Sequence, residues 1–174
     1  MKSRFCQSRL NAVIVSFFAG SSAMTLLMPT ASFADSGTFD FLGSAVAVPT
    51  SVQMGDTTVT ARGGNGTLTF IRSSGGPFTE GASGNIQVAT FSKKSPTGFE
   101  LEADVVATFS AEDTLLLLFK RRTGDLAAGT SGEGSLQLTG GTGRFAGVTG
   151  QCKYKVDNLA ANWNVTLAKC QWSR

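Results

Sequence analysis

A chain of 174 residues is long enough for one domain with a substantial core and short for two. It carries 21 glycines, no histidine, and 15 Lys and Arg against 12 Asp and Glu. The missing histidine excludes Ser-His-Asp and Cys-His nucleophilic systems and histidine-ligated metals. Abundant glycine with dispersed apolar residues points to an all-β domain with many turns.

Residues 1–34 read as a cleaved signal peptide. Lys2, Arg4 and Arg9 precede an uncharged run that continues through Leu27, and Ser32-Phe33-Ala34 is a small-x-small site before Asp35. A retained anchor is the alternative, since the run is almost long enough to span a bilayer. Gly20, Ser21 and Ser22 interrupt it. Loss of three basic residues and no acid leaves 12 basic against 12 acidic residues in 35–174. A neutral domain without a basic stripe is a poor nucleic-acid binder. The expectation is a single exported domain over 35–174, periplasmic or extracellular, with no membrane span after cleavage.

The first strand begins at Phe39-Asp-Phe41, with Gly43 and Pro49 bounding its course. Residues 56–72 read as a hairpin or strongly bent pair, turned at Gly63-Gly-Asn-Gly66. The turn-rich segment 73–84 is a loop over one end of the fold, where Phe78 either covers the core or acts as a lid over a pocket. Residues 85–91 alternate as a strand, and Phe99–Phe109 is the clearest amphipathic strand in the chain. On it Phe99, Leu101, Ala103, Val105 and Ala107 share one face, while Glu100, Glu102 and Asp104 share the other. Thr114–Phe119 is apolar on both faces, which predicts a central strand covered on both sides, with an exposed basic end at Lys120-Arg-Arg122. A second loop spans Gly124 to Gly132.

Gly134–Thr139 is a strand that feeds the corner Gly140-Gly-Thr-Gly-Arg-Phe-Ala-Gly-Val-Thr-Gly150. Its glycines allow a bend, so that Phe145 can insert into a barrel end while Arg144 bonds carbonyls or pairs with an acid such as Glu102 or Asp104. Residues 151–156 and 161–172 form a closing hairpin in which Cys152 and Cys170 fall roughly opposite each other. Two cysteines in an exported domain favour one disulfide. Trp163 and Trp172 are separated by an odd number of positions, so one faces the core and the other the surface or a ligand.

About eight strands with short turns and no convincing helix indicate a small antiparallel barrel or a sandwich. The stretch 134–150, and above all Gly-Gly-Thr-Gly-Arg-Phe-Ala-Gly at 140–147, resembles the corresponding turn of the allene oxide cyclase and dirigent proteins and of small exported bacterial proteins in that group. The resemblance implies an allene oxide cyclase-like, calycin-like barrel whose lumen holds an apolar ligand. In the plant relatives the barrel guides cyclisation or coupling of a reactive intermediate. None of their catalytic residues falls on a matching motif here, and a shared fold does not make an enzyme.

Two functions remain open. One is a non-enzymatic exported barrel that binds a small apolar ligand or has an envelope role, and the residues favour it. The other is a cofactor-free isomerase or cyclase acting in the lumen on a hydrophobic substrate. For chemistry the candidates are Glu102, Asp104 and Tyr154, the acids only if they face the lumen; for ligand contact they are Phe78, Arg144, Phe145 and Trp163. No cofactor or metal site is expected, and the oligomeric state stays open.

Overall fold

The computed structural model describes residues 35–122, 131–160 and 162–174. The leader assigned to 1–34 and most of the second loop, 123–130, lie outside them. Eight strands follow in chain order: β1 (Ser36–Met54), β2 (Thr57–Ser73), β3 (Ser83–Ser95), β4 (Gly98–Thr108), β5 (Thr114–Arg122), β6 (Ser131–Gly141), β7 (Thr149–Ala160) and β8 (Trp163–Ser173). Each pairs antiparallel with its sequence neighbours, and β1 closes the barrel against β8. Closure leaves the inward side chains to make the core and gives the outer face no covering layer.

Alternation sets the two faces. Ala103, Val105 and Ala107 of β4 point inward and are buried, while Glu100, Glu102 and Asp104 are exposed outside. On β5, Leu115 and Leu117 are buried inside. Leu116 lies outward and exposed, which corrects the expectation of a strand covered on both sides. A barrel wall is one sheet thick, so among the described residues no second layer covers its outer Leu116. Among the described residues no helix is long and apolar enough to cross a membrane.

The hairpin expected at 63–66 is not there. β2 runs unbroken from Thr57 to Ser73, and the turn lies earlier, at Gly55 and Asp56 between β1 and β2. The glycines serve close strand approach instead. A Cβ on Gly64 would sit 2.4 Å from the Val46 carbonyl oxygen, and one on Gly66 1.9 Å from that of Ser44. Gly43 and Pro49 likewise lie within β1, which continues to Met54. Pairing with β8 ends at Val46, so Pro49 occupies a stretch paired with β2 alone, where a missing donor is tolerated.

The Gly140–Gly150 corner seals one end of the barrel. Gly143 (φ 56°) opens a 3-10 turn, Gly143–Phe145, and a Cβ there would collide with the Asp113 carboxylate and the Glu112 carbonyl. Thr142 donates its hydroxyl to the Glu112 carbonyl and accepts the Thr114 N–H at 3.1 Å. Asp113 Oδ1 accepts the Arg144 N–H at 2.9 Å, and Asp113 Oδ2 lies 3.6 Å from Arg144 Nε, an ion pair rather than a hydrogen bond. The acid partner of Arg144 is therefore Asp113, not Glu102 or Asp104. Those two stand on the outer face of β4, while the corner folds onto the β4–β5 turn.

Phe145 is fully buried beneath this corner, in a cluster with Phe39, Phe70, Phe78, Phe109 and Trp172. Phe78 stacks on Phe39 with centroids 3.8 Å apart and lies 5.5 Å from Phe145 and 5.4 Å from Trp172. Offset and edge contacts of this kind add to the area that the rings bury. The Arg144 guanidinium covers Phe109 and Phe145 from outside, at 5.2 and 4.8 Å from their centroids. Between β7 and β8, Cys152 and Cys170 are direct register partners joined by a disulfide.

Candidate functional site

The lumen continues away from the aromatic plug and opens among the β1–β2, β3–β4 and β7–β8 turns. There it holds a cavity of about 260 Å³. Strand alternation supplies its walls: Ala45 and Ala47 from β1, Leu68 from β2, Ile86 and Val88 from β3, Leu101, Ala103 and Val105 from β4, Leu117 and Phe119 from β5. Gly43, Ala45 and Ala47 on β1 and Ala103 on β4 are small inward residues that leave space in the lumen. Phe41 lines the cavity and its ring lies 6.3 Å from that of Phe39 in the plug, so the plug lies beneath the cavity floor.

The rest of the lining carries polar groups. Thr90, Ser92, Asn158, Asn162, Asn164 and Thr166 line the cavity, as do Tyr154, Arg62 and Arg121. Tyr154 is buried and meets Phe119 edge-on at 5.0 Å. Arg121 is 8% exposed, with its guanidinium carbon 6.0 Å from the Phe99 centroid. The expected exposed basic end of β5 is thus split: Arg122 is exposed, whereas Arg121 turns inward. No Asp or Glu lines the cavity among the described residues.

Only one of the residues singled out in the sequence reaches this cavity. Tyr154 lines it. Glu102 lies outside, 3.6 Å from Lys120, and Asp104 is exposed beside it. Phe78 and Phe145 are locked in the plug at 1% and 0% exposure, and Arg144 is held over them by Asp113. Trp163 is on the outer face of β8, opposite Val46, and donates its indole N–H to Ser44 Oγ at 2.7 Å. Trp172 is the core tryptophan.

Arg121 is absent from the sequence candidates, although the signal is present. It shares parity with Leu115, Leu117 and Phe119, so an inward β5 face carries it into the lumen. The ion pair with displaced titration lies elsewhere: Lys155 meets Glu133 at 2.7 Å on the outer wall, and the hydrogen bond and charge of Glu133 raise the Lys155 pKa.

Neither a protein-family model nor a curated protein matches the sequence. Among solved structures, the barrel is similar to that of the pterocarpan synthase dirigent protein GePTS1. The TM-score is 0.51 at 17% identity, over 88% of this chain and 99% of that one. The likeness is one of fold, an eight-stranded antiparallel β-barrel.

Proposed function

We propose that this protein is an exported, non-enzymatic barrel that holds a small apolar ligand in its lumen. The observation that carries the reading is the 260 Å³ cavity walled by aliphatic and aromatic side chains. Apolar clefts with a few placed polar groups are the usual form of small-molecule sites, and this one lies below the range of drug-sized pockets. Export accords with the leader-like residues 1–34 and with the disulfide, which persists in oxidising compartments.

A lumenal isomerase or cyclase is the second reading, favoured by the naming of the structural neighbour as a synthase. Steering by Glu102 or Asp104 has no support, since both acids stand on the outer wall. Tyr154 is the cavity-lining residue left from the candidate acids and bases.

The test is a titration with 2-naphthalenemethanol followed by amide chemical shifts. Saturable changes at Ala103, Leu117 and Tyr154, with none at Phe78, are expected. Changes confined to the outer strip at Trp163 and Leu167, or no saturation at all, would overturn the lumenal reading.

A further inference from the structure

The lumen carries charge of one sign. Arg62 and Arg121 both line the cavity, and no carboxylate does so among the described residues. Neither arginine takes part in any of the ion pairs formed among those residues. Arg62 is exposed and lies near the rim, where water can solvate it. Arg121 is different. It is more than nine-tenths buried, and its Nε has no hydrogen-bond partner among the described residues. A guanidinium keeps its charge in a protein, and a buried donor such as this Nε is costly to leave without an acceptor.

The neighbouring strand makes room for it. A Cβ on Gly134 of β6 would lie 2.7 Å from Arg121 Cγ and 2.7 Å from Tyr154 Cε1. The φ of Gly134 is not in the left-handed region, so its conformation does not require glycine. A Cβ there would also lie 2.6 Å from the Lys120 carbonyl oxygen, so the glycine serves close approach of β5 as well as the space taken by the inward Arg121 and Tyr154 side chains. On the other flank, Phe99 presents its ring toward the guanidinium, which is weakly hydrated and tolerates an aromatic face.

We propose that Arg121 is an anion-binding residue, and that the lumen takes a compact apolar carboxylate whose body lies among the alanines and leucines and whose carboxylate meets the guanidinium. This rests on the lumenal reading above and adds the ligand's chemical class. Arginine suits the task because its planar fork matches a carboxylate with two parallel hydrogen bonds. The surrounding apolar wall strengthens the attraction by excluding water.

The experiment compares 2-naphthoate with neutral 2-naphthalenemethanol by calorimetry on the wild-type protein, Arg121→Met, Arg121→Lys and Arg62→Met. The wild type is expected to bind the carboxylate at least about tenfold more tightly than the alcohol, as a charge-assisted bidentate pair should. Arg121→Met should erase that preference, while Arg121→Lys keeps part of it as a point charge. Arg62→Met should leave the preference standing.

Equal wild-type affinity for the two compounds would overturn the anion site and leave the apolar lumen intact. Absence of binding by either compound would overturn both. Loss of the preference in Arg62→Met rather than in Arg121→Met would overturn the assignment to Arg121. The wild-type comparison needs no variant, so it tests the anion site even where Arg121→Met folds poorly.

Discussion

At one end of this barrel, Phe39, Phe70, Phe78, Phe109, Phe145 and Trp172 fill the lumen ring against ring. At the other end, the same alternation of the same strands presents Ala45, Ala47, Ala103, Thr90 and Ser92, and a cavity remains. The difference lies in what closes each end: Phe78, Phe109 and Phe145 come from connections that fold over the filled end, while Phe39, Phe70 and Trp172 point in from β1, β2 and β8. The filled end is further pinned by Asp113, Thr142 and Arg144 across the β4–β5 and β6–β7 connections. One end holds the fold, and the other is free to hold something else.

Substitutions at the two ends should therefore separate stability from binding. The largest effect is expected for Phe145→Ala, which removes a fully buried ring from the plug. It should lower unfolding free energy by about 3–5 kcal/mol in denaturant titrations. An equal loss from Phe119→Ala, whose ring is only partly buried at the open end, would contradict the division.

Opening the Cys152–Cys170 bridge, with its sequence separation of 18, should cost about 3 kcal/mol by the chain-entropy account. The reduced barrel should show this as a lower denaturation midpoint. Gly143→Ala should follow at about 1–3 kcal/mol, because φ is left-handed and the new Cβ meets Asp113. A neutral result there would mean that the corner can move off the β4–β5 turn.

The smallest effect belongs to the outer wall. The Lys155 side chain is solvated on the surface and its pKa is raised by Glu133. A raised folded-state pKa gives stability that is present below the ordinary lysine range and fades as pH climbs through the folded value. Solvent screening makes that contribution slight. Lys155→Met should leave the melting temperature unchanged at neutral pH, and a clear drop would show the outer wall to matter more than its exposure suggests.

Much of this division is legible in the residues. The alternation over Phe99–Thr108 predicts both faces of β4, and the spacing of Cys152 and Cys170 places them across a hairpin. The corner motif predicts Phe145 as a plug. Gly63–Gly66 misleads because glycine marks both tight turns and close strand approach, and only the neighbouring strand distinguishes them.

The site is less visible. Phe78, Phe145 and Trp163 are large and apolar, which suits ligand contact and core equally well. Arg121 sits in a run of three basic residues that reads as a solvated strand end. Parity with Leu115 and Leu117 contains the information, but a cavity forms only through volumes contributed by strands distant in sequence.

The central claim is that the open-end lumen, rather than the plug or the outer wall, is the binding site. Ala103→Trp tests it most directly, because Ala103 lines the cavity and faces inward at 7% exposure. With 2-naphthalenemethanol and calorimetry, binding should be lost in Ala103→Trp while circular dichroism reports an intact barrel, and it should persist in a Glu102→Gln, Asp104→Asn double variant. Wild-type affinity in a folded Ala103→Trp protein would place the ligand elsewhere and contradict the account.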